Sequence, residues 1–133
     1  MTTWTSDEIK KIGRAEELEI ASLRRDGTLR DPVTIWVVRH GDDIYVRSVN
    51  GRTAAWFRGT QMREGHIEAG SVAKDVSFVD ADPEINDQID TAYRTKYRCY
   101  ATRFVTPIVS PEARAATIKL VPRSTSCATG VAR

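Results

Sequence analysis

Apolar and polar residues alternate over Glu17–Leu23, with Leu18 and Ile20 on one face and Glu17 and Glu19 on the other, the period of a half-buried strand. Asp26-Gly27, flanked by Arg25 and Thr28, predicts a tight hairpin turn in which both central positions take positive φ, so the next strand pairs with the first. Pro32 lacks a ladder donor and belongs at an edge or a bulge. After it, Val33, Ile35 and Val37 alternate with Thr34, Trp36 and Val38. Both faces are largely apolar, so this strand is expected to be covered on both sides. Gly41-Asp42-Asp43 then joins it to a second apolar run, Ile44–Val49. Two short strands, His66–Ala69 and Ala73–Val79, flank Gly70-Ser71, with the segment from Gly59 to Gly65 as a loop before them. Thr117–Val121 alternates as a last strand that Pro122 ends.

Between these runs the period changes to that of helices. Thr5 and Glu8 have capping-box spacing, Trp4 is placed to staple against Ile9, and Gly13 is expected to stop this short opening helix. Asp82-Pro83 puts a cap and a first-turn proline ahead of a helix reaching about Tyr100. Ile85, Ile89, Ala92 and Tyr93 form its apolar stripe, with Tyr97 and Tyr100 beside it. Ser110-Pro111-Glu112 starts another short helix. About six strands and two to four short helices, joined mostly by hairpins, predict a mostly β, α+β architecture. That is an antiparallel barrel with flanking helices, and it excludes a doubly wound parallel sheet.

Composition adds bounds. The chain has 133 residues, of which 41% are hydrophobic and 29% charged, which fits one globular domain, taken as residues 1–122. The segment 123–133, RSTSCATGVAR, has no apolar period and is expected to be a disordered tail. No apolar run approaches the ~20 residues of a membrane span, and the first residues lack a secretory signal, so a cytoplasmic protein is expected. A net charge of +2 with dispersed basic residues argues against nucleic acid as a partner. Two cysteines and two histidines give neither a disulfide framework nor a set of metal ligands, so no metal is expected. His66 is the one candidate general base, and a lone exposed histidine is usually inert.

The strongest site signal is the end of the second apolar run. Arg47 and Ser48 precede Asn50-Gly51, and Arg52 opens Thr53-Ala54-Ala55-Trp56-Phe57, with Arg58 beyond. A strand that stops at a glycine and feeds a short helix leaves free backbone N–H groups, and a nearby guanidinium makes that place attractive to an anion. Taken alone, an arginine at a strand end is commonly solvated or paired with a carboxylate, and Trp36 in an apolar strand is commonly core.

Asp26-Gly27, Pro32 with Val33-Thr34-Ile35-Trp36, and Tyr45-Val46-Arg47-Ser48 followed by Arg52, in this order of elements, resemble the split-barrel flavin-binding proteins related to pyridoxamine-phosphate oxidase. The chain is similar to a branch of that superfamily of unknown function, over about residues 4 to 122. The resemblance implies a split β-barrel homodimer with FMN or a deazaflavin at the subunit interface. It implies that Ser48, Asn50 and Arg52 hold the phosphate and that Arg47 is either a phosphate ligand or a charge near the ring. Thr34, Ile35 and Trp36 would line the isoalloxazine, and Trp56 would close the pocket. An oxidoreductase acting on a small organic substrate needs no catalytic side chain visible in the sequence, because the cofactor carries the chemistry. The alternative is a cofactor-free split barrel that binds a small organic ligand, or acts on it non-oxidatively, in the same groove.

Overall fold

The computed structural model describes residues 4–123. The tail expected over 123–133 lies outside the described residues except for Arg123, which pairs with Glu64 at 3.5 Å. Six antiparallel strands close a barrel: β1 (Glu17–Ser22), β2 (Val33–His40), β3 (Asp43–Arg47), β4 (Glu64–Ala69), β5 (Val72–Asp80) and β6 (Thr117–Pro122). Their order around the barrel is β1-β2-β3-β6-β5-β4, so the last strand is inserted between β3 and β5. The barrel is therefore of the kind expected, mostly β with short helices around it.

β2 changes partner part-way along. Its first half pairs with β1, from Ile20↔Val33 to Glu17↔Trp36, and its second half pairs with β3, from Val37↔Val46 to His40↔Asp43. This division sets what each face covers. Leu18, Ile20, Val37, Ile44, Val46, Ile67, Val76, Phe78, Ile118 and Leu120 fill the barrel. On the outside, Val38 and Tyr45 lie under a second apolar cluster with Ile89, Tyr93, Tyr97 and Ile108. β2 is thus covered on both sides only at Val37 and Val38, where its alternating face finds helix α3 (Asn86–Lys96) as a partner, and Thr34 and Arg39 stay exposed.

The opening helix α1 (Ser6–Arg14) plugs one end of the barrel. Thr5 and Glu8 form the capping box, and Trp4 and Ile9 are both buried, with the Trp4 indole N–H donating to Leu120 O at 3.2 Å. Gly13 does not stop it. The glycine sits within α1, where a Cβ would come 3.2 Å from Arg39 Cβ, so it permits the helix to lie against β2.

Three further elements differ from the periodic pattern. The Asp26-Gly27 turn is wider than expected: only Gly27 has positive φ (90°), and a Leu23↔Leu29 bridge closes a loop over Arg24–Thr28. The Asp26 carboxylate stabilises that loop by accepting from the Thr28 N–H and hydroxyl at 3.0 and 2.7 Å. Helix α3 ends at Lys96 instead of Tyr100, because Tyr97 leaves helical backbone to reach the barrel. Residues 102–109, which have no apolar period, form α4 (Thr102–Val105) and a 3-10 turn, Thr106–Val109, before α5 (Pro111–Ala115). Between β3 and β4 lie a 3-10 turn, Gly51–Thr53, and α2 (Ala55–Gly59). A second 3-10 turn, Thr60–Met62, replaces most of the loop expected there.

Candidate functional site

The end of β3 is anchored by Arg47. Alternation from Tyr45 turns its side chain outward, beneath α3, where it is 1% exposed. Nε donates to Thr117 Oγ1 at 2.9 Å, Nη1 to Asp90 and to Ile108 O, and Nη2 to both the backbone and side-chain oxygens of Asn86. Every N–H of the guanidinium is used inside the protein, so Arg47 has no donor left for a phosphate or a ring. Tyr93 faces it at 5.6 Å from ring centroid to guanidinium carbon, and burial pushes the Tyr93 phenol above its ordinary range.

Beyond Arg47 the chain turns sharply. Ser48 is buried, and its Oγ finds no hydrogen-bond partner among the described residues. Gly51 takes φ 74° and its N–H donates to Ser48 O at 3.0 Å; a Cβ there would come 3.3 Å from Glu112 Cβ, so α5 packs directly on the turn. Asn50 and Arg52 are exposed on either side of it. Arg52 lies over the Phe57 ring at 5.0 Å and donates Nη1 to Ala115 O at 2.9 Å, leaving Nε and Nη2 unbonded among the described residues. It lines a cleft of about 590 Å³ together with Asp80, Asn86, Arg114 and Thr117. Arg114 is engaged by Asp87 and Asp90, so Arg52 is the cation lining this cleft that has no carboxylate partner among the described residues.

Trp56 belongs to another cleft, of about 250 Å³, lined also by Ser22, Arg24, Arg30, Val33 and Thr60. The C-terminus of α2 is pressed against β1 there: a Cβ on Gly59 would lie 2.3 Å from Ser22 Oγ. Arg24 and Arg30 were missed in the sequence as candidate anion ligands, because both flank the Asp26-Gly27 turn and carry no pattern beyond it. Arg24 already donates to Leu29 O at 2.8 Å, whereas Arg30 faces the cleft beside Asp31.

The three β2 residues divide by face. Ile35 packs against the barrel core, Thr34 is exposed opposite Glu19, and Trp36 lies outside the barrel. The Trp36 ring stacks on Tyr97 with centroids 3.9 Å apart and an interplanar angle of 3°, and Tyr100 meets it edge-on at 4.9 Å. One face of the indole is therefore already covered. The Tyr97 hydroxyl accepts from Val37 N–H at 3.1 Å and donates to Glu16 O at 2.6 Å, at the place where β2 leaves β1; burial pushes its pKa up to about 12. So Arg52 and Trp56, expected in one pocket, stand in different clefts, and Thr34, Ile35 and Trp36 do not form one wall.

His66 is half-buried on β4, with Nδ1 2.9 Å from Asp75 Oδ1 and Nε2 3.6 Å from Glu68. Among the described residues, no group of three or more His, Cys, Asp or Glu side chains is placed to hold a metal ion, and no helix is long and apolar enough to cross a membrane.

Comparison with known proteins agrees with this architecture. An F420 reductase superposes with TM-score 0.54 at 16% identity, over 86% of this chain and 90% of that one. A conserved hypothetical protein, Rv2991 from Mycobacterium tuberculosis, gives TM-score 0.57 at 13% identity, over 92% and 81%. An FAD-binding protein from Mesorhizobium loti gives TM-score 0.51 at 14% identity, over 91% of each chain. The fold is thus a split barrel shared with these proteins. No curated protein matches the sequence significantly. A family model described as an uncharacterised protein conserved in bacteria (DUF2255) matches residues 8–120.

Proposed function

The chain belongs to the DUF2255 family, and we propose that it works as a homodimeric split barrel that binds FMN or a deazaflavin and serves as an oxidoreductase on a small organic substrate at the dimer interface. The observation that carries this reading is Arg52. A glycine turn packed on α5 presents its guanidinium to an open cleft, and one N–H donor is spent on the protein. That is the state of a residue available to a phosphate, in contrast to Arg47, whose donors are consumed.

The bound flavin would supply hydride transfer, and the protein would supply binding, orientation and exclusion of water. In this reading Arg52 and Asn50 hold the phosphate. Ser48 Oγ, buried and unpartnered, joins them when the turn adjusts on binding. Thr34 and the free edge of Trp36 meet the ring from the outer face, Ile35 contributes through its backbone alone, and Trp56 borders the neighbouring cleft. Arg47 has a positioning role, holding the end of β3 against α3 so that the turn starts from a fixed point.

A second reading is favoured by one specific observation. The indole of Trp36 is stacked on Tyr97 and the guanidinium of Arg47 is saturated, so two groups that a ring site would use are committed internally. A cofactor-free split barrel that takes a small organic ligand fits that commitment.

Flavin titration separates the two. Loss of charge-assisted hydrogen bonds worth ~1.5 to 3 kcal/mol weakens binding about 10-fold to 100-fold, so Arg52→Ala should reduce affinity for FMN or a deazaflavin by that factor. Riboflavin, which lacks the phosphate, should bind both forms alike. Arg58→Ala, on the exposed side of α2 and outside both clefts, is the control. Absence of any flavin absorbance in the loaded wild type, or equal losses in the two variants, would favour the cofactor-free reading.

A further inference from the structure

On the opposite side of α3 from the Arg52 cleft, a second groove of about 480 Å³ runs between the end of α1, the end of β2 and α3. Its floor is Gly13, Val38 and Ala92. Its walls carry Arg39, His40, Gln88, Thr91, Thr95 and Lys96, and no aspartate or glutamate lines it. Lys96 is the unusual member. Its ammonium is half-buried, donates to Val37 O at 2.6 Å, lies 5.3 Å from the Tyr97 ring centroid, and has no carboxylate in ion-pair contact among the described residues. A cation drawn out of water with only a carbonyl and a ring for company is costly, and a carboxylate delivered to it removes that cost.

We propose that this groove binds a small organic carboxylate, with the carboxylate on Lys96 Nζ and an apolar body over Val38 and Ala92. The other ionisable side chains that line the groove are basic, and the acidic groups nearby lie outside its lining. Arg39 donates Nε to Gly41 O and has only a loose pair, 3.9 Å, with exposed Asp42. His40 adds a second basic group on β2, and Glu16, exposed beyond α1, is the acidic group whose charge acts on Lys96. Burial lowers the Lys96 pKa to about 8 against the partial support of Glu16, so the amine's bias toward its charged form, strong at neutral pH, is lost above pH 8. An arriving carboxylate restores that bias and draws in a proton above pH 8. The inference is independent of the flavin reading, because this groove shares no residue with either cleft described above.

The test is a lysine-labelled carbon NMR titration of the full chain with benzoate, using benzamide and chloride as controls. Benzoate should shift the Lys96 resonance saturably and raise its apparent pKa by about one pH unit or more, as an opposite charge close by does. Val38 and Ala92 methyl signals should move with it. Benzamide and chloride should do neither. Lys96→Gln should weaken benzoate at least about 10-fold, the effect of losing one charge-assisted contact. Ala92→Leu, which fills the floor and keeps the amine, should abolish the response even if Lys96→Gln folds poorly. An equal response to benzamide, no saturable response to benzoate, or full binding by Ala92→Leu would overturn the proposal.

Discussion

Arg47 and Arg52 bracket one turn, and their opposite fates show what decides whether an arginine is structural. Arg47 follows Tyr45 on the outer face of β3, so the strand aims it at Asp90 and Asn86 of α3 and at Ile108 O of the 3-10 turn Thr106–Val109. Arg52 leaves a glycine turn on the surface and meets only Ala115 O. Replacing Arg47 with Met should therefore cost ~3 kcal/mol of folding free energy, the lower range for breaking a buried pair, because Asp90 keeps Arg114 at 3.3 Å. Arg47→Lys should cost nearly as much, since one ammonium cannot serve acceptors on three elements. Urea unfolding within ~0.5 kcal/mol of wild type for Arg47→Met would show that the network carries little. The sequence displays a basic residue at a strand end, and alternation even assigns its face. It does not display Asp90 or Asn86, which stand far along the chain, so the competition between a phosphate and an internal carboxylate is invisible there. Lys96 is hidden for the same reason: its acceptor, Val37 O, belongs to β2.

At the level of elements, the strands were legible because each has one face in the barrel and alternation reports that directly. Glu17 and Glu19 against Leu18 and Ile20 mark β1 to within a residue of its observed limits. The helical segment between β5 and β6 was legible only where a cap and a proline announce it, at Asp82-Pro83 and Ser110-Pro111; both caps form, with Asp82 accepting from Glu84 N–H and Ser110 from Ala113 N–H. α4 and its 3-10 turn were not, since residues 102–109 bury only Ile108 and show no period. Glycines are the other blind spot, because their role depends on what lies opposite. Gly65 on β4 is an example: a Cβ there would come 2.2 Å from Ala21 O and 2.7 Å from the Phe78 ring. The first contact is backbone and cannot yield without disturbing the β1–β4 ladder. Gly65→Ala should therefore destabilise by about 3 kcal/mol, the upper range for overpacking, with the loss read as a fall in the denaturation midpoint. A neutral result would mean that β1 and β4 separate easily.

For the molecule as a whole, the sequence displayed the class of architecture and the first hairpins, but the closing order of strands depends on register between distant segments, which composition does not encode. The same holds for the proposed self-association. Trp36 and Tyr100 stay half-buried on the outer face, Phe104 is 52% exposed and Leu29 44%, which together leave apolar surface for a second copy to cover. Light scattering at tens of micromolar should give twice the 14.9 kDa chain mass. A single-chain mass would remove the interface on which the flavin reading depends, while leaving the Lys96 groove untouched. The insertion of β6 between β3 and β5 also has a consequence during synthesis. On the ribosome, β3 and β5 emerge as naked edges and stay so while the helical stretch from Pro83 to Ala115 is being made, since the strand that covers both comes last. Unpaired edges are templates for pairing with other chains, and non-local closure is slow. The nascent barrel is thus most exposed to misassociation in that interval, and a stall before Thr117 would release an open sheet instead of a closed one.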